Sequence, residues 1–270
     1  MKDKAHQLLT HYIHVWKLIP DGNSFYTHSS LLQPVIFNNI PSFIKIPMSD
    51  EEKQGSRLMV WWDGDGAVRV LKHDENALLM ERAWSDKPSL KEMVENGQDD
   101  EATLLICNVA DKLHAYSKPP PELMFLQDWF DDLWPAASQY GGVLKACAVV
   151  ATELFQSPQE IVVLHGDLHH ENVLYTATAG WAAIDPKGLI GERGFDYANI
   201  LCNPDQQTAL EKGRLSKQAA IISKAVELDT IRLLKWVIAW AGLSASWMIN
   251  DGEDAKFKLT IAELAMNELI

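Results

Sequence analysis

A chain of 270 residues, 47% hydrophobic and 23% charged, has ample material for a core and does not have the composition of a disordered or low-complexity protein. Acidic residues outnumber basic ones 37 to 24, a formal charge of −13. That balance argues against a phosphate-backbone partner and suits an acidic cleft that receives a cationic small molecule.

The three cysteines, Cys107, Cys147 and Cys202, are far apart and form no C-x-x-C pair, so they read as small buried apolar side chains in a reducing compartment. MKDKAHQLLTHYIHVWKLIPDG, at the start, has no apolar run of signal-peptide length. The most apolar helix, WVIAWAGLSASWMI (236–249), is too short and too Ser-interrupted to cross a bilayer. A soluble cytoplasmic protein without nucleic-acid or membrane partners is expected, and its oligomeric state is left open.

In chain order, HYIHVWKL, LLQPVIF and SFIKIP read as β-rich runs separated by Pro, Gly and Asn. A helix over 49–62 follows, with Ser49 as N-cap and Glu52 completing a capping box. DGDG (63–66) turns the chain into AVRVLKH, and NALLME (76–81) gives a further strand. A periodic helix over 99–117 ends at Pro119–Pro121, and more helices are expected at 122–138, 143–156, 215–226, 229–249 and 254–268. This is an α+β pattern: a small β-rich lobe over 1–82 and a larger, mainly helical lobe over 83–270, joined near ERAWSDKPS (81–89).

VVLHGDLHHENVLY (162–175) crowds His165, Asp167, His169, His170, Glu171 and Asn172 between two apolar flanks. A zinc site is one reading, since His165, Asp167, His169 and His170 are all metal-ligand types. No H-E-x-x-H, paired cysteines or second His cluster completes it. A nucleophilic triad is weaker, because the chain has no G-x-S-x-G elbow and no cysteine near the cluster. Phosphoryl transfer explains more residues. H-G-D-x-x-x-x-N supplies Asp167 and Asn172, and AAIDPKG adds Asp185. One carboxylate to deprotonate an acceptor hydroxyl, with an amide oxygen and a second carboxylate for Mg²⁺, is a kinase set.

LHGDLHHENVLY and WAAIDPKGLIGERGFDYANIL resemble the catalytic and metal-binding core of the aminoglycoside phosphotransferases. Within them they resemble the streptomycin 6-phosphotransferase and hydroxyurea-resistance kinase group, with weaker similarity over most of residues 30–250. The resemblance implies a protein-kinase-like two-lobe fold that uses ATP and Mg²⁺, with a small-molecule substrate such as streptomycin or hydroxyurea. It implies Asp167 as catalytic base and Asn172 and Asp185 as Mg²⁺ ligands. Lys45 would hold the α- and β-phosphates, with Glu52 as its partner, and Glu81 and Ala83 would meet adenine through their backbones. Asp196 would brace the catalytic loop.

The phosphate-covering turn should lie in DGNSFYTHSSLL (21–32), which lacks G-x-G-x-x-G; Ser29 and Ser30 can still offer donors. No Walker A sequence is present, which excludes the P-loop route. His165, His169 and His170 read as loop packing, and Trp236, Trp240 and Trp247 as core. The acceptor pocket is expected after Asp185, with Glu192, and along the C-terminal helices, with Asp251 and Glu253. A housekeeping metabolite kinase or a nucleotide-binding pseudokinase would share the fold.

Overall fold

The computed structural model describes residues 2–83 and 87–270. It opens on a helix, α1 (Lys2–Val15), and not on the strand that HYIHVWKL suggests. Ala5, Leu9, Tyr12 and Trp16 are buried together, which is the face of a 3.6-residue helix. The β-branched and aromatic residues after position 11 favour strand locally, but the longer period buries a continuous stripe and wins.

Six strands follow: β1 (Ile19–Pro20), β2 (Phe25–Tyr26), β3 (Ser30–Phe37), β4 (Ile40–Pro47), and, after helix α2 (Asp50–Trp62), β5 (Val70–Asp74) and β6 (Ala77–Glu81). They form one antiparallel sheet in the order β1-β3-β4-β6-β5, with β2 beside β3. β4 is interior, so Lys45 faces Leu32 on one side and Leu78 on the other. Ser49 caps α2 by accepting from the Glu52 amide at 3.2 Å. The reciprocal half of the expected capping box is missing, because the Glu52 side chain turns inward to Lys45.

The second region is mainly helical: α3 (Leu90–Glu95), α4 (Asp99–Ala115), then β7 (Met124–Phe125), α5 (Leu126–Trp129), α6 (Leu133–Tyr140) and α7 (Gly142–Gln156). The single helix expected over 122–138 is therefore broken. Pro135 has no amide hydrogen, which the first turn of α6 accommodates and the interior of a longer helix would not. Four short strands, β8 (Ile161–Leu164), β9 (Val173–Thr176), β10 (Gly180–Ala183) and β11 (Leu189–Glu192), carry the polar loops. β9 pairs with β10, and β11 lies between β7 and β8. α8 (Gly194–Ala198), α9 (Gln206–Ala209), α10 (Arg214–Ala225), α11 (Thr230–Asn250) and α12 (Lys256–Asn267) complete the chain, with α11 as the buried axis.

The expected α+β arrangement of a small sheet lobe and a larger helical lobe is present, with two cores. α1 and the sheet enclose the smaller, around Leu9, Leu31, Ile44 and Leu79. Leu58, Met59 and Trp62 of α2, with Ala67 and Val68, belong instead to the larger helical core. The packing division thus runs through α2 and does not follow the chain break near 82. Of the expected join at 81–89, residues 84–86 lie outside the described residues.

Candidate active site

The loop between β8 and β9 carries Asp167 and Asn172, and the end of β10 carries Asp185. Asp196, buried at the start of α8, fixes the first loop from below: it accepts the Gly166 amide at 2.7 Å and the His165 amide at 2.9 Å. Its third partner is His114 Nε2 of α4, at 2.8 Å. Burial would raise the Asp196 carboxyl, but His114 and these amides outweigh it and the shift is downward. His165 links the loop to β10. Its Nε2 lies 2.7 Å from the Ile184 carbonyl, and its Nδ1 accepts the Asp167 amide at 3.2 Å. Both ring nitrogens are therefore committed, and burial lowers its proton affinity.

Asp167 sits among neutral donors. Asn199 Nδ2 donates to Oδ1 at 3.0 Å, and Asn172 Nδ2 lies 3.3 Å from Oδ2. Asn199 is itself held by Trp240, whose Nε1 donates to its Oδ1 at 2.8 Å. Burial pushes the Asp167 carboxyl up to about 6, against the pull of Lys187, whose Nζ is 4.0 Å away. His169 Nε2 is 3.8 Å from Asp167 Oδ1, and burial lowers His169 to about 4 and His170 to about 3.

Across the cleft, Lys45 is buried and contacts both Glu52 and Asp185, the latter at 2.8 Å. Burial would raise the Glu52 carboxyl, but Lys45 beside it outweighs this and pulls it down to about 2. Ser29 and Ser30 donate their hydroxyls to the two oxygens of Glu52 at 2.7 and 3.1 Å. Those hydroxyls orient the carboxylate and do not point to a phosphate. The Glu81 amide donates to the Arg69 carbonyl, and its side chain accepts from the Thr178 hydroxyl. Ala83 borders the residues outside the description.

Asp185 adopts φ +57°, a left-handed conformation uncommon away from glycine. Helix α2 presses on the next residue: a Cβ on Gly55 would lie 2.1 Å from the Pro186 carbonyl oxygen. Only glycine allows that approach, which docks the helix bearing Glu52 on the segment bearing Asp185.

Asp167 opens on a cavity of about 580 Å³ lined also by Glu51, Met124, Asp128, Trp129, Asp131, Asp132, Lys187, Trp240, Trp247 and Asp251. Asp251 is thus brought to the site, and Glu253 is not among the lining residues. Glu192 is placed elsewhere: its buried carboxylate accepts from Arg232 at 2.8 and 2.6 Å, Trp236 at 2.8 Å and the Gln159 amide at 3.0 Å. It ties β11 to α11 and is not among the described residues that line this cavity, where the acceptor was expected to meet it.

Asn199, His114, Trp129, Lys187 and the aspartates at 128, 131 and 132 have no assigned role in the sequence reading. Two of them left a nearby signal: Lys187, two residues after Asp185 in AAIDPKG, and Asn199, three residues after Asp196 in GFDYAN.

Comparison with known proteins accords with this geometry. The chain belongs to the aminoglycoside/hydroxyurea antibiotic resistance kinase family, whose model matches residues 15–252. It is 45% identical over 260 residues to the streptomycin 3''-kinase of Klebsiella pneumoniae, covering 94% of this chain and 97% of that one. It is 29% identical over 252 residues to the streptomycin 6-kinase of Streptomyces griseus, covering 88% and 80%. Among solved structures it resembles aminoglycoside phosphotransferase APH(4)-Ia, a ternary complex with ADP and hygromycin B. The TM-score is 0.68 at 13% identity, over 96% of this chain and 97% of that one, a likeness of fold.

Proposed function

We propose, with family membership as the premise, that this chain transfers the γ-phosphoryl group of Mg·ATP to a hydroxyl of streptomycin. One observation carries the choice of acceptor: the candidate base opens on a cavity walled by carboxylates and tryptophans. Streptomycin bears two guanidinium groups and a secondary amine. Carboxylates pair with guanidinium in bidentate fashion, and indole faces attract cations. The volume falls within the roughly 300–1,000 Å³ usual for small-molecule sites. Hydroxyurea, small and neutral, has no use for such a wall.

Asp167 accepts the proton of the attacking hydroxyl, and Asn199 fixes its orientation. Lys45, steadied by Glu52, neutralises phosphate charge. Asn172 and Asp185 would hold Mg²⁺, which supplies charge neutralisation across the phosphates when bound. Their hard oxygens fit that ion, which takes one or two carboxylates plus phosphates and keeps several waters. Zinc fits less well here, since both nitrogens of His165 are already engaged. In this reading residues 1–82 form the nucleotide-binding lobe and residues 83–270 the catalytic and substrate-binding lobe.

Purified protein should release ADP with streptomycin and Mg·ATP, and NMR of the product identifies the hydroxyl modified. Asp167→Asn keeps the shape and loses the base. It should reduce turnover by roughly 10²–10⁴-fold while streptomycin still binds calorimetrically beside an ATP analogue. Normal nucleotide binding with no heat from streptomycin would remove it as the acceptor.

A further inference from the structure

Among the described residues lining the cavity, six are carboxylates, Glu51, Asp128, Asp131, Asp132, Asp167 and Asp251, and one is a base, Lys187. An ammonium group set in such a wall weakens its negative field, whatever molecule the pocket receives. Lys187 is nevertheless held firmly. Its amide donates to the His165 carbonyl at 2.7 Å, which ties it to the loop of Asp167. Its stem lies against Gly166, where a Cβ would come within 3.0 Å of the Lys187 Cβ. The Nζ stands 4.0 Å from Asp167 Oδ2 and 3.2 Å from Glu51 Oε1, and the residue follows Asp185 by two positions. Lys187 therefore stands between Asp167, which takes the acceptor proton, and Glu51 on α2, the helix that also bears the Lys45 partner Glu52.

An anion does cross that boundary. The transferring phosphoryl group must leave the Lys45 side and enter a space rimmed by negative charge, which repels it. We propose that Lys187 is a further catalytic residue, donating N–H hydrogen bonds to the γ-phosphoryl oxygens during transfer. The acceptor oxygen forms its bond to the γ-phosphorus as the bond to the β-bridging oxygen breaks. ADP keeps that electron pair, the hydroxyl proton goes to Asp167, and Lys187 neither forms a covalent bond nor gives up a proton. The inference rests on the phosphotransferase reading but not on the identity of the acceptor.

The test compares wild type, Lys187→Met and Lys187→Arg in binding Mg·ADP and Mg·ADP with fluoroaluminate, a mimic of the group in flight. Lys187→Met should bind Mg·ADP like wild type and lose affinity for the fluoroaluminate complex, and Lys187→Arg should recover part of it. Turnover should fall by roughly 10²–10³-fold in kcat, as for loss of one preorganised donor, with KM for ATP little changed. Should Lys187→Met fold poorly, Lys187→Cys alkylated to an aminoethyl side chain restores the ammonium group. The native Cys107, Cys147 and Cys202 are all buried, so the reagent reaches position 187 selectively. Activity returning on alkylation supports the proposal. Fluoroaluminate binding equal to wild type in Lys187→Met, or no recovery on alkylation, overturns it. Failure with streptomycin alone removes that acceptor and leaves the binding comparison to decide on Lys187.

Discussion

Asp167 has the environment of a base tuned toward neutrality: burial raises its carboxyl to about 6 while two asparagine amides hold its oxygens. A base must be ionised to accept a proton, so activity should be lost as pH falls through that value and recover above it. The loop histidines do not blur this limb, because burial moves His169 to about 4 and His170 to about 3. A pH profile of kcat/KM should thus fall roughly tenfold per unit below about pH 6. A flat profile down to pH 5 would show that another group takes the proton. At this scale the sequence was most informative where residues share one loop. Asp167 and Asn172 lie in a single motif, and Asp185 arrives on the neighbouring strand end. Asn199 reaches Asp167 from 32 positions away and His114 reaches Asp196 from 82, separations that no local spacing encodes.

Helix α2 shows why elements were more legible than the directions of their side chains. Ser49 and Glu52 have the spacing of a capping box, and the helix does begin there. The same spacing cannot tell that Glu52 will turn toward Lys45, a choice made by a neighbouring strand and by Ser29 and Ser30. Gly55 tests the docking of this element. Alanine is the better helix former by about 1 kcal/mol, so propensity alone predicts that Gly55→Ala stabilises. Its Cβ, however, would stand 2.1 Å from the Pro186 carbonyl oxygen, a backbone atom that cannot swing aside. Overpacking of this kind costs about 1–3 kcal/mol, so the clash should win and Tm should fall. Displacing α2 also shifts Glu52 relative to Asp185, and kcat/KM for ATP should drop by at least about tenfold. A higher Tm with unchanged ATP kinetics would show that α2 is free to move off Pro186.

For the whole molecule, the sequence declares an acidic excess but not where it gathers. The acidic wall depends on the break between α5 and α6, which turns Asp128, Asp131 and Asp132 toward Asp167, and a continuous helix was expected there. Net charge therefore suggests a cationic acceptor without indicating which carboxylates would meet it: Glu192 is taken up by Arg232 and Trp236 instead. The gathered charge has a kinetic consequence. A polycation approaching the cavity is attracted over a screening length of about 30 Å at 0.01 M salt and only about 8 Å at 0.15 M. Electrostatic attraction of this kind acts on association and binding before chemistry begins. Raising salt over that range should therefore raise KM for streptomycin several-fold and leave kcat within about twofold. Asp128→Asn removes one wall charge without touching the base, so it should raise KM at low salt and flatten the dependence. The control is KM for ATP, whose charge is opposite and whose partner is Lys45, and it should not follow the same trend. A streptomycin KM insensitive to salt, or a salt effect confined to kcat, would mean that hydrogen bonding and shape, and not the acidic wall, select the acceptor.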